Sequence, residues 1–181
     1  NVYGIQLNAS CPSPKIIKIG QGPALIKRPT KVSNLLKELL KQGKFKVGIK
    51  VRLGLNPTEV NQKKILSLFE ELEKINDPNF TRVTVHFKNA RDGSNAQYDY
   101  SLLKEMASFK LPLIINGGIK NYEDFKKITK NLNMKNIAGF MIGRGALENP
   151  DLFIKINSAI NKEISPLRGL KLISKEFEKL C

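Results

Sequence analysis

One pattern recurs along this chain and limits the folds open to it: a short run rich in Val and Ile, a polar or glycine-bearing loop, then apolar residues at helical spacing. The runs fall at residues 2–7, 45–52, 81–87, 111–116 and 137–142. Each is short, β-branched and bounded by turn-forming residues, so each reads as a strand. Between them Val32, Leu35, Leu36, Leu39 and Leu40 mark one helical face, which Gly43 is placed to end. Asn56-Pro57-Thr58-Glu59 offers an N-cap, a proline at the first helical position and a capping-box glutamate, ahead of Ile65, Leu68, Phe69 and Leu72. Leu102, Leu103 and Met106 mark a third helix, and Phe125, Ile128 and Leu132 a fourth. Asn149-Pro150 starts a fifth, with Leu152, Phe153, Ile156 and Ile160 on its apolar face.

Strands spaced roughly 25 to 45 residues apart, with a helix in each gap, build βαβ units and a parallel sheet, so the fold class is α/β. Two architectures compete, an open doubly wound sheet and a slice of a (β/α)8 TIM barrel. The doubly wound sheet carries its phosphate loop early, after the first strand. Here the glycine turns follow the last two strands, as Asn116-Gly117-Gly118 and Gly143-Arg144-Gly145, which is where a barrel holds phosphate. No GxGxxG follows an early strand, which argues against a Rossmann dinucleotide site. A barrel takes eight strands and about 250 residues, whereas these 181 residues supply five strands. The expectation is the last five βα units of such a barrel over residues 1–162, the first three units being absent. Residues 163–181, where Leu167, Leu170, Ile173, Phe177 and Leu180 follow Ser165-Pro166, are expected to begin a C-terminal helical domain.

The net charge is +15, and residues 1–50 hold ten Lys or Arg against one acid, Glu38, so +9 of the total surrounds the loop after the first strand. A genome rich in A/T would raise Lys, Asn and Ile everywhere, but it does not empty one stretch of acids. A polyanion such as RNA fits this field. No apolar run approaches the roughly 18 residues that span a bilayer, and no signal peptide opens the chain. With Cys11 and Cys181 as the only cysteines and His86 as the only histidine, there is neither a disulfide framework nor a zinc site. A cytoplasmic monomer without a metal is expected.

The C-terminal ends of barrel strands build the active site, and each strand here runs into a polar group: Asn8, Lys50 with Arg52, His86, Asn116 and Arg144. The first leads into Ala9-Ser10-Cys11-Pro12-Ser13-Pro14, a thiol on a proline-stiffened loop. A free cysteine is just as often a small buried hydrophobe; the polar company is what argues for chemistry. Side chains alternate along a strand, so Lys50 and Arg52 share one face while Val47, Ile49 and Val51 take the other. Two cations in a barrel mouth need an anion or an electron-rich ring to offset their desolvation; otherwise Arg52 simply ends its strand in solvent. His86 alone could be an ordinary hydrogen-bonding residue. The two glycine turns can present backbone N–H groups to a phosphate, with the Arg144 guanidinium as a bidentate partner.

The segments GIQLNASCPSP, GPALIKRP, IKVRLG, TVHFKNAR, INGGI and MIGRGALENPDLF, in that order, resemble the tRNA-dihydrouridine synthases over about residues 4–153. That resemblance implies a flavin-binding TIM barrel, followed by a helical domain that helps to hold tRNA. The implied activity is reduction of uridine to 5,6-dihydrouridine, with FMN as cofactor and NADPH as reductant. Cys11 matches the family's general acid, and Asn8 the asparagine beside it at the uracil. Lys50 and His86 match flavin contacts, while Asn116, Gly117, Gly118, Gly143 and Arg144 match the turns that hold the FMN phosphate and ribityl chain. Arg52 and Arg91 fall at positions lining the uridine or RNA; Lys27 and Arg28, with Lys15, Lys18 and Lys31, are candidates to grip tRNA phosphates. In this chemistry hydride from reduced FMN reaches C6 of the uracil and Cys11 protonates C5 from the other side. Thiols with an ordinary pKa of about 8.5 are protonated at neutral pH and can serve as acids. The uridine has to leave its stack to reach a barrel mouth.

Three positions depart from the family pattern. Ser10 stands where Gly more often precedes the cysteine, Gly118 where the turn has Asp, and Tyr100 where Trp is usual. Ser before Cys and a double Gly also occur in the dihydroorotate and dihydropyrimidine dehydrogenases, flavin barrels that act on free pyrimidines, and these are the alternative reading. GRGALENP, the KRP segment and the basic charge favour the tRNA enzymes.

Overall fold

The computed structural model describes residues 2–130, 132 and 134–160; the expected helical domain at 163–181, and Cys181, lie outside them. The chain divides into two compact units, one of residues 1–118 and 131–141, the other of residues 119–130 and 142 onward.

The first unit is built on five strands: β1 (Gly4–Ala9), β2 (Lys46–Arg52), β3 (Phe80–His86), β4 (Leu113–Asn116) and β5 (Ile137–Met141). All neighbours run parallel, in the order β1-β2-β3-β4-β5. A doubly wound sheet reverses its strand order at a switch point, and this sheet does not. The consecutive order is that of adjacent strands in a (β/α)8 barrel, which decides between the two architectures. β1 lies two residues further on than its hydrophobicity suggests, because Asn8 and Ala9 pair with Lys50 and Val51.

One face of the sheet is covered by helices. Val47, Ile49 and Val51 of β2 are 0%, 0% and 3% exposed, so they fix which face of the strand turns inward. Helix α2 (Pro29–Lys41) follows the short α1 (Pro14–Lys18) and a 3-10 helix, Gly22–Lys27; it buries Val32, Leu36 and Leu40. Gly43 ends this stretch in the left-handed region at φ +62°, while Leu35 points largely to solvent.

The next helix is not continuous as its periodicity suggests. It breaks into α3 (Pro57–Asn61) and α4 (Lys64–Glu73), with Lys63 between them at φ +52°. Lys63 is tied on both sides of the break: its N–H donates to Val60 O at 2.8 Å, and its ammonium reaches both carboxylate oxygens of Glu105 at 2.8 and 3.0 Å. Asn56 caps α3 as expected, accepting from Glu59 N–H at 3.0 Å. Glu59 does not complete the capping box on Asn56, however; it accepts from Leu55 N–H at 2.7 Å and pairs with Lys27 Nζ at 3.2 Å. α4 buries Ile65, Leu68, Phe69 and Leu72, and Phe69 meets Phe109, just after α5 (Leu103–Ser108), edge to face at 5.5 Å.

The second unit holds α6 (Tyr122–Thr129), α7 (Arg144–Glu148) and α8 (Leu152–Ile160). Asn121 caps α6 by accepting from Asp124 N–H at 2.9 Å. Gly143-Arg144-Gly145, read from sequence as a turn, instead opens α7, where Ala146 N–H donates to Gly143 O at 2.9 Å. The glycine at 145 answers to packing, since a Cβ there would run into the Ile119 backbone. α8 begins at Leu152, whose N–H bonds Asn149 O at 3.1 Å.

Removing the Phe69 ring from this fully buried position should cost about 3–5 kcal/mol. Urea denaturation of Phe69→Ala against the parent protein measures it; a loss below about 1 kcal/mol would show that the α4–α5 side is not part of the cooperative core.

Candidate active site

The parallel register sets out the site. Arg52 lies level with His86, His86 with Asn116 and Asn116 with Met141; one residue pair earlier, Asn8 lies level with Lys50 and Lys50 with Thr84. Since side chains two apart share a face, Asn8, Lys50, Arg52, Thr84, His86 and Asn116 occupy the face opposite Val47, Ile49 and Val51. Room on that face comes from Gly48. Gln6, which is level with Gly48, crosses it to donate to Thr84 Oγ1 at 3.0 Å, and the Arg82 side chain fills the space a Cβ at 48 would take.

Cys11 is a free, half-buried thiol at the mouth of β1. Three contacts hold its loop. Asn8 Oδ1 accepts from Ser10 N–H at 3.1 Å and from the Ser10 hydroxyl at 3.0 Å. Arg52 Nε donates to Ser10 O at 2.8 Å while Nη1 donates to Asn89 O at 3.1 Å, so one guanidinium joins the β1 loop to the β3 loop. On the other side Gly22, at φ +59°, lies so close that a Cβ would stand 2.8 Å from Cys11 O and 2.9 Å from Ile16 Cγ2. Burial lowers the Arg52 pKa from its ordinary value; Asp92, Cys11 and Tyr98 act against that shift. Asp92 itself is fixed by Asn89, whose N–H and side-chain amide both donate to it at 2.7 Å.

His86 and Asn116 form the centre of the face. Asn116 Nδ2 donates to Met141 O at 2.7 Å, which orients the amide so that its Oδ1 faces His86 Nδ1 at 2.9 Å. The imidazole therefore carries its proton on Nδ1, leaving Nε2 as an acceptor. Its pKa is pushed down to about 4, first by burial, then by the charges of Arg52, Lys50 and Lys88, with the Asn116 hydrogen bond opposing them. Lys50 is also lowered, by burial and by Arg52. Among the described residues neither Lys50 Nζ nor Asn8 Nδ2 meets a hydrogen-bonding or ionic partner, although Asn8 Oδ1 is used. Two adjacent unused donors, Lys50 half-buried and Asn8 exposed beside it, suit an electron-rich ring such as a flavin, and the donor set therefore fits FMN.

The turn after β4 is a second fixed point. Gly117 and Gly118 have φ of +106° and +72°, and Tyr98 and Tyr100 pack on them. Tyr98 also meets His86 edge to face at 5.6 Å and lies under Lys88 Nζ at 4.6 Å. Lys88 is 3% exposed, and its ammonium donates to Gly93 O and Ser94 O at 3.0 and 2.9 Å.

Of the residues singled out from sequence, Asn8, Cys11, Lys50, Arg52, His86, Asn116, Gly117 and Gly118 thus belong to the first unit's sheet ends and their loops. Gly143 and Arg144 belong to the second unit, and Arg144 is exposed in α7. Arg52 is neither an open anion site nor a solvent-facing strand end; backbone carbonyls occupy it. Lys27 is already paired, to Glu59, whose side chain is 7% exposed. Arg28 is exposed, and Arg91, also exposed, donates its N–H to Asn89 Oδ1 at 2.8 Å. Sequence reasoning passed over Tyr98 and Lys88. No periodic pattern marks them, because Lys88 follows a tight turn in which its N–H donates to His86 O at 2.7 Å, and Tyr98 lies outside any regular element.

Because His86 titrates at about 4 in the fold against an ordinary 6.5, the folded protein binds fewer protons than the unfolded chain in that window. The His86 contribution to stability is full above pH 6.5 and is lost as pH falls from 6.5 to about 4. Denaturation midpoints measured across this range should fall for the parent protein and fall less steeply for His86→Gln; parallel curves would refute the assignment.

The sequence profile described as Dihydrouridine synthase (Dus) matches residues 1–180. A probable tRNA-dihydrouridine synthase of Helicobacter pylori is 31% identical over 99% of this chain and 52% of its own length. The tRNA-dihydrouridine(16) synthase of Haemophilus influenzae is 29% identical over 97% and 54%, and tRNA-dihydrouridine synthase B of Pasteurella multocida 28% over 88% and 46%. The chain spans about half the length of these curated relatives. With its consecutive parallel strands, its strand-end polar groups and this match along its length, the chain belongs to the dihydrouridine synthase family.

Proposed function

We propose that this chain serves the FMN-dependent reduction of uridine to 5,6-dihydrouridine in tRNA, with Cys11 as the general acid. The observation that carries the reading is the convergence, on one sheet face and its adjoining loop, of Asn8, Lys50, His86 and Asn116 with the Cys11 thiol. When bound, FMN, reduced by NADPH, supplies the hydride for C6 of the uracil. Cys11 then delivers a proton to C5, and the two additions together saturate the C5–C6 double bond. Asn8 holds the thiol's loop through Ser10 and offers its free amide N–H groups to the uracil beside it. Lys50 offers its ammonium to the flavin ring, and His86 contributes a neutral Nε2 acceptor. Asn116, Gly117 and Gly118 are assigned to the phosphate and ribityl chain; for Gly143 and Arg144, in the second unit, that assignment rests on the motif alone.

Arg52 acts here as a brace for the Cys11 loop, and its charge lies near the thiol. The tRNA contacts are assigned to the exposed cations Lys15, Lys18, Lys27, Arg28, Lys31 and Arg91, of which Lys27 also pairs with Glu59. The relatives' names specify tRNA, which favours this reading over a free pyrimidine as substrate. A cytoplasmic enzyme is the corresponding expectation.

With the full-length protein, FMN, NADPH and unmodified tRNA, Cys11→Ala should slow dihydrouridine formation by roughly 10²- to 10⁴-fold while retaining flavin absorbance. Equal product from both proteins would remove Cys11 from the chemistry. Turnover of free uracil or orotate without RNA would transfer the enzyme to the alternative class.

A further inference from the structure

A Gly-Gly step is the least restrained dipeptide a chain can contain, yet the one after β4 is held tightly from outside. The Tyr100 hydroxyl donates to Gly117 O at 2.9 Å. A Cβ placed on Gly118 would run into that same hydroxyl and would come within 3.2 Å of the Tyr98 ring, while one on Gly117 would run into Tyr98 directly. The two phenol rings stack at 6.4 Å, and Tyr100 rests on Phe87 at 4.9 Å. Asp99, between them, donates its N–H to Phe87 O at 2.9 Å, which ties the segment to the end of β3. The tyrosines are thereby anchored to the sheet, and the turn is anchored to the tyrosines.

We propose that Tyr100 and Gly118 are a coupled positioning pair: the phenol hydroxyl occupies the volume of the missing Cβ and, through the Gly117 carbonyl, presets the turn that receives the FMN phosphate. The proposal rests on the assignment of that turn to FMN. Ordering a free Gly-Gly segment at the moment of binding would be charged against affinity; ordering it in the folded protein moves that cost to folding. The hydroxyl and the bare Cα are each needed for the other. A side chain at 118 would displace the hydroxyl, and loss of the hydroxyl would release the turn while leaving space at 118.

The test is a double-mutant cycle in the full-length protein, with FMN affinity read by flavin fluorescence quenching and thermal midpoints read alongside. Tyr100→Phe keeps the ring and should weaken FMN binding roughly three- to tenfold. Gly118→Ala should weaken it more, since it adds a clash with the hydroxyl to the strain of a positive φ. The strain is common to both Ala variants, so the cycle isolates the clash. In Gly118→Ala/Tyr100→Phe the penalty for Ala should shrink at least about threefold relative to its value beside Tyr100. Effects that simply multiply would overturn the coupling, and thermal midpoints that fall while FMN affinity stays unchanged would overturn the positioning role. If the parent protein binds no FMN, the flavin assignment falls; the same cycle in thermal midpoints then decides the pair, additive shifts overturning it and sub-additive shifts supporting it.

Discussion

Everything at the candidate site depends on β2 having one face that must be buried and one that must not be. Val47, Ile49 and Val51 are almost wholly removed from water, and each such side chain stabilises the fold by about 1.5–3 kcal/mol. A slip of one residue would bring Lys46, Gly48, Lys50 and Arg52 to that face, with three cations entering an apolar layer. The register is therefore locked, and with it the line of groups from Arg52 through His86 to Asn116. No loop conformation has to be chosen for these residues to come together. The hydrophobic pattern of one strand places its own cations, and parallel pairing carries the placement to the neighbours.

The electrostatics follow from that placement. Lys50, Arg52 and Lys88 all act on His86 to disfavour its protonation, in addition to burial. Asn116, its amide turned by the Met141 carbonyl, settles the tautomer. A neutral imidazole with a fixed proton is thus the product of four strands and of the loop after β3. The same cations are not equally available to a ligand. Arg52 is spent on two carbonyls and Lys88 on two more, which leaves Lys50, of the three, unengaged beside the free amide nitrogen of Asn8.

The sequence declared the parts of this molecule whose causes are local. The number and order of the strands, the split of β2 into two faces, the Asn56 cap and the stop at Gly43 all follow from neighbours within a few residues. What escaped it arises from contacts between distant segments. Lys27 looked like one more free cation because Glu59, its partner, lies across the fold from it in sequence. Lys63 sits mid-pattern with nothing in the periodicity to mark a left-handed residue. Gly143-Arg144-Gly145 carried the glycine content of a turn, but Gly145 is there because the Ile119 backbone passes close by, and the segment is helical. Even the departures of Gly118 and Tyr100 from the family motif were visible only as two separate differences; the structure shows that they touch.

The same sorting sharpens the charge argument. Of the cations in residues 1–50, Lys27 and Lys41 are paired with Glu59 and Glu38, Lys46 bonds Asn79, and Lys50 lies on the sheet face. Lys15, Lys18, Arg28, Lys31, Lys37 and Lys44 remain exposed, and the first four belong to the segment that leaves the Cys11 loop, passes Gly22 and enters α2. Four of these six exposed cations thus follow the thiol's loop directly in the chain. A polyanion drawn to that segment would meet these charges close in the chain to the group proposed to protonate its base. Arg52, which braces that loop, is itself held by the two carbonyls it binds, and Asp92 acts to keep it charged.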